Sequence, residues 1–311
     1  MREVLVMGCE EFIGSRVMRT LTHCDWARPK PFDATHLGDL ADALQDVDAV
    51  VNCLSGRPKV IEAAAKALFE TASRCAVPPL IVHISSMSVY GEAIGQVAED
   101  APLQQALAPY ARAKVRAERH AAGYSRKIIL RPGCEYGPGG ELWSGRIAEW
   151  LYQRRIGDLG AGGDGYCNLV YIDDLVSAVL ECLRQPAAIG KCFNLGMRDP
   201  PTWNEYFVAY AKALGAVPVK RVSNRRLSLE TRLLAAPLKA LQLAAAKLGA
   251  ARRVPAPMPP SLLRLFRQEI KLDSMATRRE LGWQCRTLEH GLAETAACYS
   301  RADRKPSRAP L

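Results

Sequence analysis

The sequence predicts an α/β protein built on a doubly wound parallel sheet, with a smaller, mainly helical C-terminal lobe. Short apolar runs alternate with longer helical patterns over about the first ninety residues, as in parallel sheets joined by crossover helices. A glycine turn follows the first apolar run, and the chain beyond residue 202 is mainly helical in pattern. The predicted division is 1–133 with 166–195 for the sheet domain, 134–165 with 196–299 for the second lobe, and 300–311 for a disordered tail.

The individual elements follow from buried apolar runs for strands and from helical periodicity for helices. In chain order we predict a strand at 4–7, a helix from 12 to about 21, a strand at 49–54, a helix from 60 to about 75, a strand at 80–85, a helix at 110–122 and a strand at 127–130. Glycines and a proline between 133 and 140 predict loops. The apolar run 169–172 is predicted to return to the sheet, and a helix from 174 to 183 to follow it.

Composition favours a soluble globular protein. The chain has 311 residues, of which 49% are hydrophobic and 24% charged. Its ten cysteines form no C-x-x-C pair and no regular spacing, which predicts reduced thiols, no metal site and a cytoplasmic location rather than a disulfide-rich secreted protein. No signal-peptide pattern follows Met1, and no apolar stretch approaches the ~18 residues that would span a bilayer.

The net charge of +10 is concentrated in the C-terminal third. Residues 219–311 contain 19 Lys and Arg against 7 Asp and Glu. Such a region can face nucleic acid, an anionic membrane or an anionic substrate, but solvated arginine-rich helices are the favoured interpretation. Because no recognition motif is present, we expect no nucleic-acid binding.

Tyr110 and Lys114 form the most informative pair in the chain. They lie four residues apart in a predicted helix, so both side chains point from one helix face. A nearby ammonium favours the phenolate and is expected to lower the pKa of the tyrosine, which makes it a usable acid or base. Ser86, at the end of a predicted strand, can hold a substrate oxygen beside it. The three residues predict a proton-transfer site for a hydroxyl or carbonyl group.

The segment Gly8-Cys9-Glu10-Glu11-Phe12-Ile13-Gly14 joins the first strand to the first helix. In a dinucleotide-binding turn the first glycine permits the tight turn and the last permits close helix packing, while the helix N-terminus holds a pyrophosphate. The position between them, normally glycine, is Glu11. A carboxylate there is expected to repel a pyrophosphate unless its side chain turns away.

The nature of the dinucleotide is left open by the sequence. Arg28 and Lys30 can meet a 2′-phosphate, which would favour NADP, or they can be loop charges. The negative Glu11 argues against a nearby phosphate and Arg28 argues for one. The sequence therefore predicts NAD or NADP without distinguishing them.

Six motifs in order give the chain a family resemblance. They are Gly8 with Phe12-Ile13-Gly14, Ser85-Ser86-Met87-Ser88-Val89-Tyr90-Gly91, Tyr110-x-x-x-Lys114, Leu130-Arg131-Pro132-Gly133-x-x-Tyr136-Gly137-Pro138-Gly139, Val170-Tyr171-Ile172-Asp173-Asp174 and Phe193-Asn194-Leu195-Gly196. This series resembles the extended short-chain dehydrogenase/reductase superfamily, of the NAD-dependent epimerase/dehydratase type, over roughly residues 3–295. The sheet domain is then a Rossmann domain and the second lobe binds the substrate.

The resemblance also implies roles for individual residues. Tyr110 would be the acid/base, Lys114 would hold the nicotinamide ribose, and Ser86 would position the substrate oxygen. Asp33 would lie near the adenine. The residues that would line the ribose and nicotinamide are Leu54, Ser55, Gly56, Pro132 and Gly133. The resemblance further implies a homodimer acting on a small molecule.

Departures from the family pattern narrow the predicted reaction. Dehydratases of this superfamily carry an Asp-Glu pair where this chain has Met87 and Ser88, so dehydration is disfavoured. Many nucleotide-sugar epimerases have an asparagine where this chain has Cys134. They also have an arginine shortly before the Val-x-x-Asp-Asp stretch, where this chain has Asn168-Leu169. We therefore expect an oxidoreductase or epimerase acting on a sugar-like or lipid-like hydroxyl or keto carbon. A non-catalytic dinucleotide-binding regulator or scaffold is the alternative, suggested by Glu11.

Two features of the second lobe bear on the substrate. Trp143, Arg146, Tyr166 and Asn168 are candidate substrate residues or lid packing, by their loop placement. Residues 227–249 predict a helix with a leucine stripe, broken or kinked at Pro237, within a basic region spanning 225–253. Covering the substrate pocket or packing on a second subunit is the favoured role for this helix, and peripheral contact with an anionic membrane is the less favoured one.

Overall fold

The structure, a computed structural model, describes residues 1–104, 108–247 and 254–300. The chain divides into two compact units. The first unit comprises Met1–Glu135, Leu169–Arg198 and Lys271–Arg286, and the second comprises Tyr136–Asn168, Asp199–Ile270 and the chain from Thr287 on. The predicted disordered tail lies outside the described residues except for Ser300.

The strands and helices are numbered in chain order. The strands are Arg2–Met7 (β1), Ala27–Phe32 (β2), Ala49–Asn52 (β3), Leu80–Ile84 (β4), Gly95–Val97 (β5), Lys127–Pro132 (β6), Cys134–Tyr136 (β7), Leu169–Tyr171 (β8), Cys192–Leu195 (β9) and Ile270–Leu272 (β10). The α-helices are Phe12–Thr22 (α1), Leu40–Ala43 (α2), Pro58–Ala72 (α3), Pro109–Ala121 (α4), Arg146–Tyr152 (α5), Ile172–Arg184 (α6), Trp203–Ala213 (α7), Asn224–Leu229 (α8), Ala235–Lys247 (α9), Ser261–Leu265 (α10), Met275–Leu281 (α11) and Leu288–Tyr299 (α12).

The first unit is organised around a six-stranded parallel sheet with the order β2-β1-β3-β4-β6-β9. Alternate side chains of β1 enter different cores, because successive residues of a strand point to opposite faces. Val4 and Val6 pack with residues of α1 and α6, whereas Leu5 and Met7 pack with residues of α3 and α4. Helices therefore cover both faces, and the predicted doubly wound α/β fold is confirmed.

Strand β2 was not predicted, because Ala27-Arg28-Pro29-Lys30-Pro31-Phe32 contains two prolines and reads as a loop. Proline lacks the N–H that a central strand must donate on both sides, but it is tolerated at a sheet edge. β2 is an edge strand whose single neighbour in the sheet is β1. Its prolines are compatible with that position.

The prediction that 169–172 returns to the main sheet is wrong. β8 pairs with β7 in a separate two-stranded sheet. The place beside β6 is taken by β9, with Leu130 opposite Phe193 and Pro132 opposite Leu195. Both segments are short and apolar, so the sequence alone did not distinguish between them.

The segment 271–286 belongs to the first unit, although we predicted all of 196–299 for the second lobe. Strand β10 pairs with β5. Trp283 donates its indole N–H to the carbonyl oxygen of Asp174 at 2.7 Å, and the Arg286 Nε donates to the Asp174 carboxylate at 2.9 Å. These hydrogen bonds, made at the start of α6, hold the returning chain against the first unit.

The second unit has an aromatic core around Trp203, at the start of α7. The rings of Trp143, Phe207 and Phe266 lie with centroids 4.9–5.7 Å from that of Trp203. Helix α7 begins with a capping box, in which Thr202 accepts from the backbone of Glu205 and the Glu205 carboxylate accepts from the backbone of Thr202.

The predicted helix 227–249 is divided into α8, a π-turn at Glu230–Leu234 and α9. Pro237 is the third residue of α9 and follows the π-turn closely, so the irregularity of the helix lies just before the proline. Leu227 is buried, but Leu234 and Leu241 are exposed, so the stripe does not face inward along its whole length. Leu248 and Gly249 lie outside the described residues. Over the described ranges, no helix is long and apolar enough to cross a membrane.

Candidate active site

The carboxyl edge of the sheet brings together the loops that carry the predicted site. Gly8 follows β1, Leu54 follows β3 at a distance of two residues, Ser86 follows β4, and Gly133 follows β6. Because these strands are parallel neighbours, their C-terminal ends meet at one edge. Ligands of doubly wound sheets bind outside this edge.

The glycine turn after β1 has two positions that require glycine. Gly8 has φ +77°, a left-handed conformation that side chains disfavour. A Cβ on Gly14 would lie 2.0 Å from the Gly8 carbonyl oxygen, so helix α1 approaches the turn closer than any side chain allows. The first N–H groups of a helix lack intrahelical acceptors, so Phe12, Ile13 and Gly14 direct donors to this end of α1. The turn has the geometry of an anion-binding site.

Glu11 is the N-cap residue of α1 and has an extended backbone with φ −84°. Its side chain does not cap the helix. The carboxylate instead accepts the Ser55 backbone N–H, with N–O distances of 2.9 and 3.0 Å to its two oxygens, and the Ser55 hydroxyl. The side chain therefore crosses from the glycine turn to the loop after β3. This places a negative charge between two loops predicted to hold the dinucleotide.

Lys114 holds the ends of two strands together. Its ammonium donates to the carbonyl oxygens of Leu54 at 3.0 Å and Ile84 at 2.8 Å, and the residue is 1% exposed. Burial lowers the pKa of Lys114 to about 8, while the nearby carboxylates of Glu135 and Glu11 oppose this shift. The Nζ atom lies 5.9 Å from the centroid of the Tyr110 ring, so the two side chains share one helix face.

Tyr110 has a raised pKa, whereas we expected a lowered one. Burial is the main cause and the Glu135 carboxylate the second, and a hydrogen bond with the Ser86 side chain opposes them. Because the pKa of Lys114, about 8, lies below that of Tyr110, the ammonium loses its proton before the phenol ionises and does not lower the tyrosine pKa. Tyr110 is therefore a protonated phenol at neutral pH in this state.

Ser86 is 7% exposed and begins a short 3₁₀ turn at Met87–Tyr90. Its hydroxyl oxygen accepts the Ser88 backbone N–H at 3.2 Å. This bond leaves the hydroxyl proton available to an acceptor other than Ser88. Ser86, Tyr110 and Lys114 thus form one cluster within the first unit, as the sequence predicted.

Glu135 belongs to this cluster and was missed by sequence reasoning. It lies in β7 and is partly buried. Burial raises the pKa of Glu135 to about 7, and the positive Lys114 opposes the rise. A signal was available, since a carboxylate three residues after β6 must fall near the carboxyl edge of the sheet. The motif that spans this stretch, Leu130 to Gly139, assigned no role to position 135.

A buried network supports the strand end that carries Ser86. Arg131 binds the Glu118 carboxylate through two nitrogens, with N–O distances of 3.0 and 2.7 Å. Arg131 also donates to the Tyr90 hydroxyl at 2.7 Å, and the Ser85 hydroxyl donates to Glu118. The Tyr90 hydroxyl donates to Asn194 at 2.7 Å. The network fixes the loop between β4 and its 3₁₀ turn.

The two residues predicted for the adenine end lie at opposite ends of β2: Asp33 follows its carboxyl end, and Arg28 lies near its amino end. Asp33 follows β2 at the carboxyl edge, is exposed, and has a lowered pKa because it accepts the Thr35 backbone N–H and hydroxyl. Arg28 pairs in register with Glu3 near the amino edge, and its guanidinium lies 3.2 Å from the Glu3 carboxylate. The structure therefore does not bring Arg28 to the edge that Gly8 occupies, which corrects its predicted role. Lys30 lies in the middle of β2, and its ammonium is 3.1 Å from the same Glu3 carboxylate.

The remaining predicted cofactor residues lie at the carboxyl edge. The Gly133 N–H donates to the Leu195 carbonyl oxygen at 2.9 Å, which anchors the chain after Pro132. Gly56 has φ +84°, so the loop after β3 turns sharply there. Their predicted contacts with a dinucleotide remain predictions.

The candidate substrate residues all belong to the second unit. Asn168 is 1% exposed and donates its amide to the Ile270 carbonyl oxygen at 2.7 Å, so it supports packing. The Trp143 ring packs at a tilt of 45° against Trp203 of the aromatic core. Arg146 lies 3.6 Å from Glu141 and lines a cavity of about 1070 Å³. Tyr166 is 38% exposed.

A parallel sheet with this glycine turn and a Ser, Tyr and Lys cluster at its carboxyl edge defines the extended short-chain dehydrogenase/reductase type of dinucleotide-binding protein. The profile of the NAD dependent epimerase/dehydratase family matches residues 4–196, and the chain belongs to that family. This agrees with the prediction of a nicotinamide dinucleotide as the cofactor.

One similar protein of known sequence is Protein YeeZ of Escherichia coli strain K12, 28% identical over 190 residues. The match covers 58% of this chain and 64% of YeeZ, so it spans less than two thirds of that protein.

Solved structures of similar fold cover nearly the whole chain. UDP-glucuronic acid 4-epimerase from Bacillus cereus, in complex with UDP-glucuronic acid and NAD, has a TM-score of 0.70 at 17% identity, covering 96% of this chain and 98% of that one. dTDP-glucose 4,6-dehydratase from Bacillus anthracis, in complex with NAD, has a TM-score of 0.73 at 18% identity, covering 96% of both chains. RMD from Pseudomonas aeruginosa, complexed with NADPH, has a TM-score of 0.71 at 16% identity, covering 96% and 99%. These similarities show the fold.

Proposed function

We propose that the protein is an NAD(P)-dependent oxidoreductase or epimerase that moves a hydride to or from a hydroxyl or keto carbon of a sugar-like or lipid-like substrate. The observation that carries the proposal is the cluster of Ser86, Tyr110 and Lys114, tied to the ends of β3 and β4 by the Lys114 ammonium. Similar structures contain NAD, NADPH or nucleotide sugars, which supports a small-molecule substrate. A homodimer and a cytoplasmic location are part of the same proposal.

The residues at the carboxyl edge fit a nicotinamide dinucleotide, with one conflict. Gly8 and Gly14 leave room for backbone to approach a pyrophosphate. In this proposal Lys114 holds the nicotinamide ribose. Glu11 is the conflict, although its carboxylate is bound by Ser55. When bound, the nicotinamide supplies the hydride donor or acceptor. The proposal covers both NAD and NADP.

The chain's own residues would move the proton. Tyr110, protonated at neutral pH, can donate its phenolic proton to a carbonyl oxygen that is being reduced. The Ser86 hydroxyl can donate to the same oxygen and hold it in place. Glu135, with a pKa of about 7, titrates beside Tyr110 and changes the charge that the phenol experiences near neutral pH.

Dehydration remains disfavoured in this proposal. Eliminating water needs a second acid and base next to the hydroxyl-bearing residue. The two positions after Ser86 are Met87, which is buried, and Ser88. Neither side chain can exchange a proton as a carboxyl group does.

The test combines binding and turnover. Purified protein is titrated with NADH and NADPH by fluorescence and then assayed against panels of sugars, sterols and other hydroxyl and keto compounds. Tyr110→Phe should lower turnover by about 10²–10⁴-fold with little change in dinucleotide affinity. Tyr124→Phe is the matched control, because the Tyr124 hydroxyl donates to the Pro79 carbonyl before the start of β4, at the other end of the sheet. Full turnover in Tyr110→Phe would overturn the proposed acid/base.

The alternative function, a non-catalytic dinucleotide-binding regulator or scaffold, is favoured by one observation. The Glu11 carboxylate crosses from the glycine turn to Ser55, which leaves a negative charge near the expected pyrophosphate. Binding of NAD(H) or NADP(H) without turnover across the panels would support this alternative.

A further inference from the structure

A cavity of about 1070 Å³ lies within the second unit. Small-molecule sites in proteins typically enclose about 300–1,000 Å³, so this volume is at the upper end of that range. The parts of the chain that line it are a π-turn at Glu141–Gly145 with α5, the π-turn at Glu230–Leu234 with α9, residues 254–260, and Tyr299. All of them belong to the second unit.

Two of the cavity walls are helix faces. The first is formed by Gly145, Ala148, Glu149 and Tyr152, and the second by Arg232, Ala235, Ala236 and Lys239. Positions three or four residues apart share one side of a helix, so each set is a single face. Both faces carry small side chains at their centres, which leaves open the space that larger residues would fill.

The walls are fixed to one another by buried polar groups. The Ala256 carbonyl oxygen accepts the Trp150 indole N–H at 3.0 Å and an Arg155 N–H at 2.7 Å. Arg155 also binds the Glu230 carboxylate with an N–O distance of 2.6 Å, and both residues are buried. These bonds connect α5, the segment 254–260 and the turn that precedes α9. The cavity is therefore a preformed feature of the second unit.

The two carboxylates of the lining have polar neighbours within it. Glu141 lies 3.6 Å from the Arg146 guanidinium, so the charges of this pair offset each other. The Glu149 carboxylate accepts a hydrogen bond from the Gln153 side chain at 2.8 Å. Glu149 thus keeps its charge but has an occupied acceptor oxygen.

Two cations of the lining have no such neighbours. In the part of the chain that the structure describes, Arg232 and Lys239 make no hydrogen bond or ion pair. Guanidinium and ammonium groups bind carboxylate and phosphate oxygens, and the two cations outweigh the single charge of Glu149. Beside them the lining is apolar, at Ala236, Val254 and other small residues and prolines. A ligand that suits this lining combines an anionic group with an apolar body.

We propose that the cavity binds an amphipathic organic anion. Its carboxylate or phosphate group contacts Arg232 and Lys239, and its apolar chain lies along Ala236, Val254 and Pro257. The proposal concerns the second unit and does not rest on the proposed hydride transfer.

Isothermal titration calorimetry of the full chain tests the proposal. Decanoate and decyl phosphate supply the two kinds of anionic group, and 1-decanol is the uncharged comparator. At least one of the anions should bind about tenfold or more tightly than 1-decanol, since only the anions can pair with the two cations. The preference should shrink as ionic strength is raised to about 0.5 M. Equal binding of all three compounds, or no binding of either anion, overturns the proposal.

A charge variant assigns the binding to this cavity. Arg232→Gln with Lys239→Gln should weaken binding of the preferred anion about tenfold or more and leave binding of 1-decanol unchanged. Arg225→Gln with Arg226→Gln is the matched control, because these arginines belong to the same unit but are not part of the described lining. An equal loss in the control would mean that the basic region attracts anions in general, which overturns the proposal.

A second variant fills the cavity. Ala236→Phe should weaken binding of the preferred anion about tenfold or more, because the added ring occupies the space of the apolar chain. Ala244→Phe is the control, at an exposed position of the same helix outside the described lining. Ala236 is exposed as well, so thermal unfolding can verify that both variants are folded. Undiminished binding in folded Ala236→Phe would place the ligand elsewhere and overturn the proposal.

Discussion

The carboxylate of Glu11 accepts two hydrogen bonds from Ser55, one from the backbone N–H at 2.9 Å and one from the hydroxyl. The pair ties the glycine turn after β1 to the loop after β3. It also satisfies a carboxylate that would otherwise be exposed to the phosphates of a dinucleotide. These hydrogen bonds leave the negative charge of the Glu11 carboxylate in place, so its effect on dinucleotide binding can be measured.

Glu11→Gln should tighten the binding of NADH and NADPH by on the order of tenfold, because it removes a negative charge near the expected pyrophosphate while keeping an acceptor for Ser55. Fluorescence titration measures the change. Glu10→Gln is the control, since Glu10 is the exposed neighbour in the same turn. Unchanged or weaker binding in Glu11→Gln would mean that the carboxylate does not oppose the phosphates.

Glu135 should make stability depend on pH between about 4.5 and 7. Burial raises the pKa of Glu135 from 4.5 to about 7, so the folded chain binds this proton more tightly than the unfolded chain. The stabilisation is fully present below pH 4.5 and is lost as the pH rises through 7. The free energy of unfolding of the wild type, relative to Glu135→Gln, should fall by on the order of 2 kcal/mol across this window.

Urea unfolding at several pH values measures this difference. Glu92→Gln, at an exposed position, is the matched control. Its difference from the wild type should stay nearly constant over the same window. A flat profile for Glu135→Gln as well would contradict the raised pKa.

Arg131→Met should destabilise the protein by about 3–5 kcal/mol, because it leaves the buried carboxylate of Glu118 without its charged partner. Arg116→Met breaks an ion pair of similar length, 3.0 Å to Glu62, that is exposed to solvent. The loss there should be below about 1 kcal/mol. Urea denaturation measures both, and similar losses would show that burial of the Arg131 pair is energetically unimportant.

Arg28→Ala should leave the ratio of NADPH to NADH affinity unchanged, since Arg28 binds Glu3 near the amino edge of the sheet. Parallel titrations with the two dinucleotides measure the ratio. If Arg28→Ala weakened NADPH binding but not NADH binding, the result would support the contact between Arg28 and a 2′-phosphate that the sequence suggested. Lys59→Ala, at an exposed position of α3, controls for the loss of one surface charge.

Much of the fold followed from local pattern. The buried runs at β1, β3, β4 and β6 predicted the centre of the parallel sheet, because strands covered on both faces are apolar throughout. The outer strands of the sheet were harder to predict. β2 contains two prolines, and β8 and β9 are both short and apolar, so which of them joins β6 depends on pairing across the sheet.

The candidate site divides in the same way. The spacing of Tyr110 and Lys114 predicted a shared helix face, which the 5.9 Å separation bears out. Spacing could not show that the Lys114 ammonium is bound by the carbonyl oxygens of Leu54 and Ile84, which follow two different strands. Spacing also could not show the burial that raises the pKa of Tyr110.

By itself, the sequence determined the class of fold, the family and the order of Ser86, Tyr110 and Lys114, because periodicity and motif spacing are local properties of the chain. Only the tertiary structure decided that Arg28 lies near the amino edge, that Glu135 joins the cluster and that Leu233 and Leu241 face solvent. Sheet register, desolvation and exposure arise from residues distant in sequence. They therefore exist only once the chain has folded.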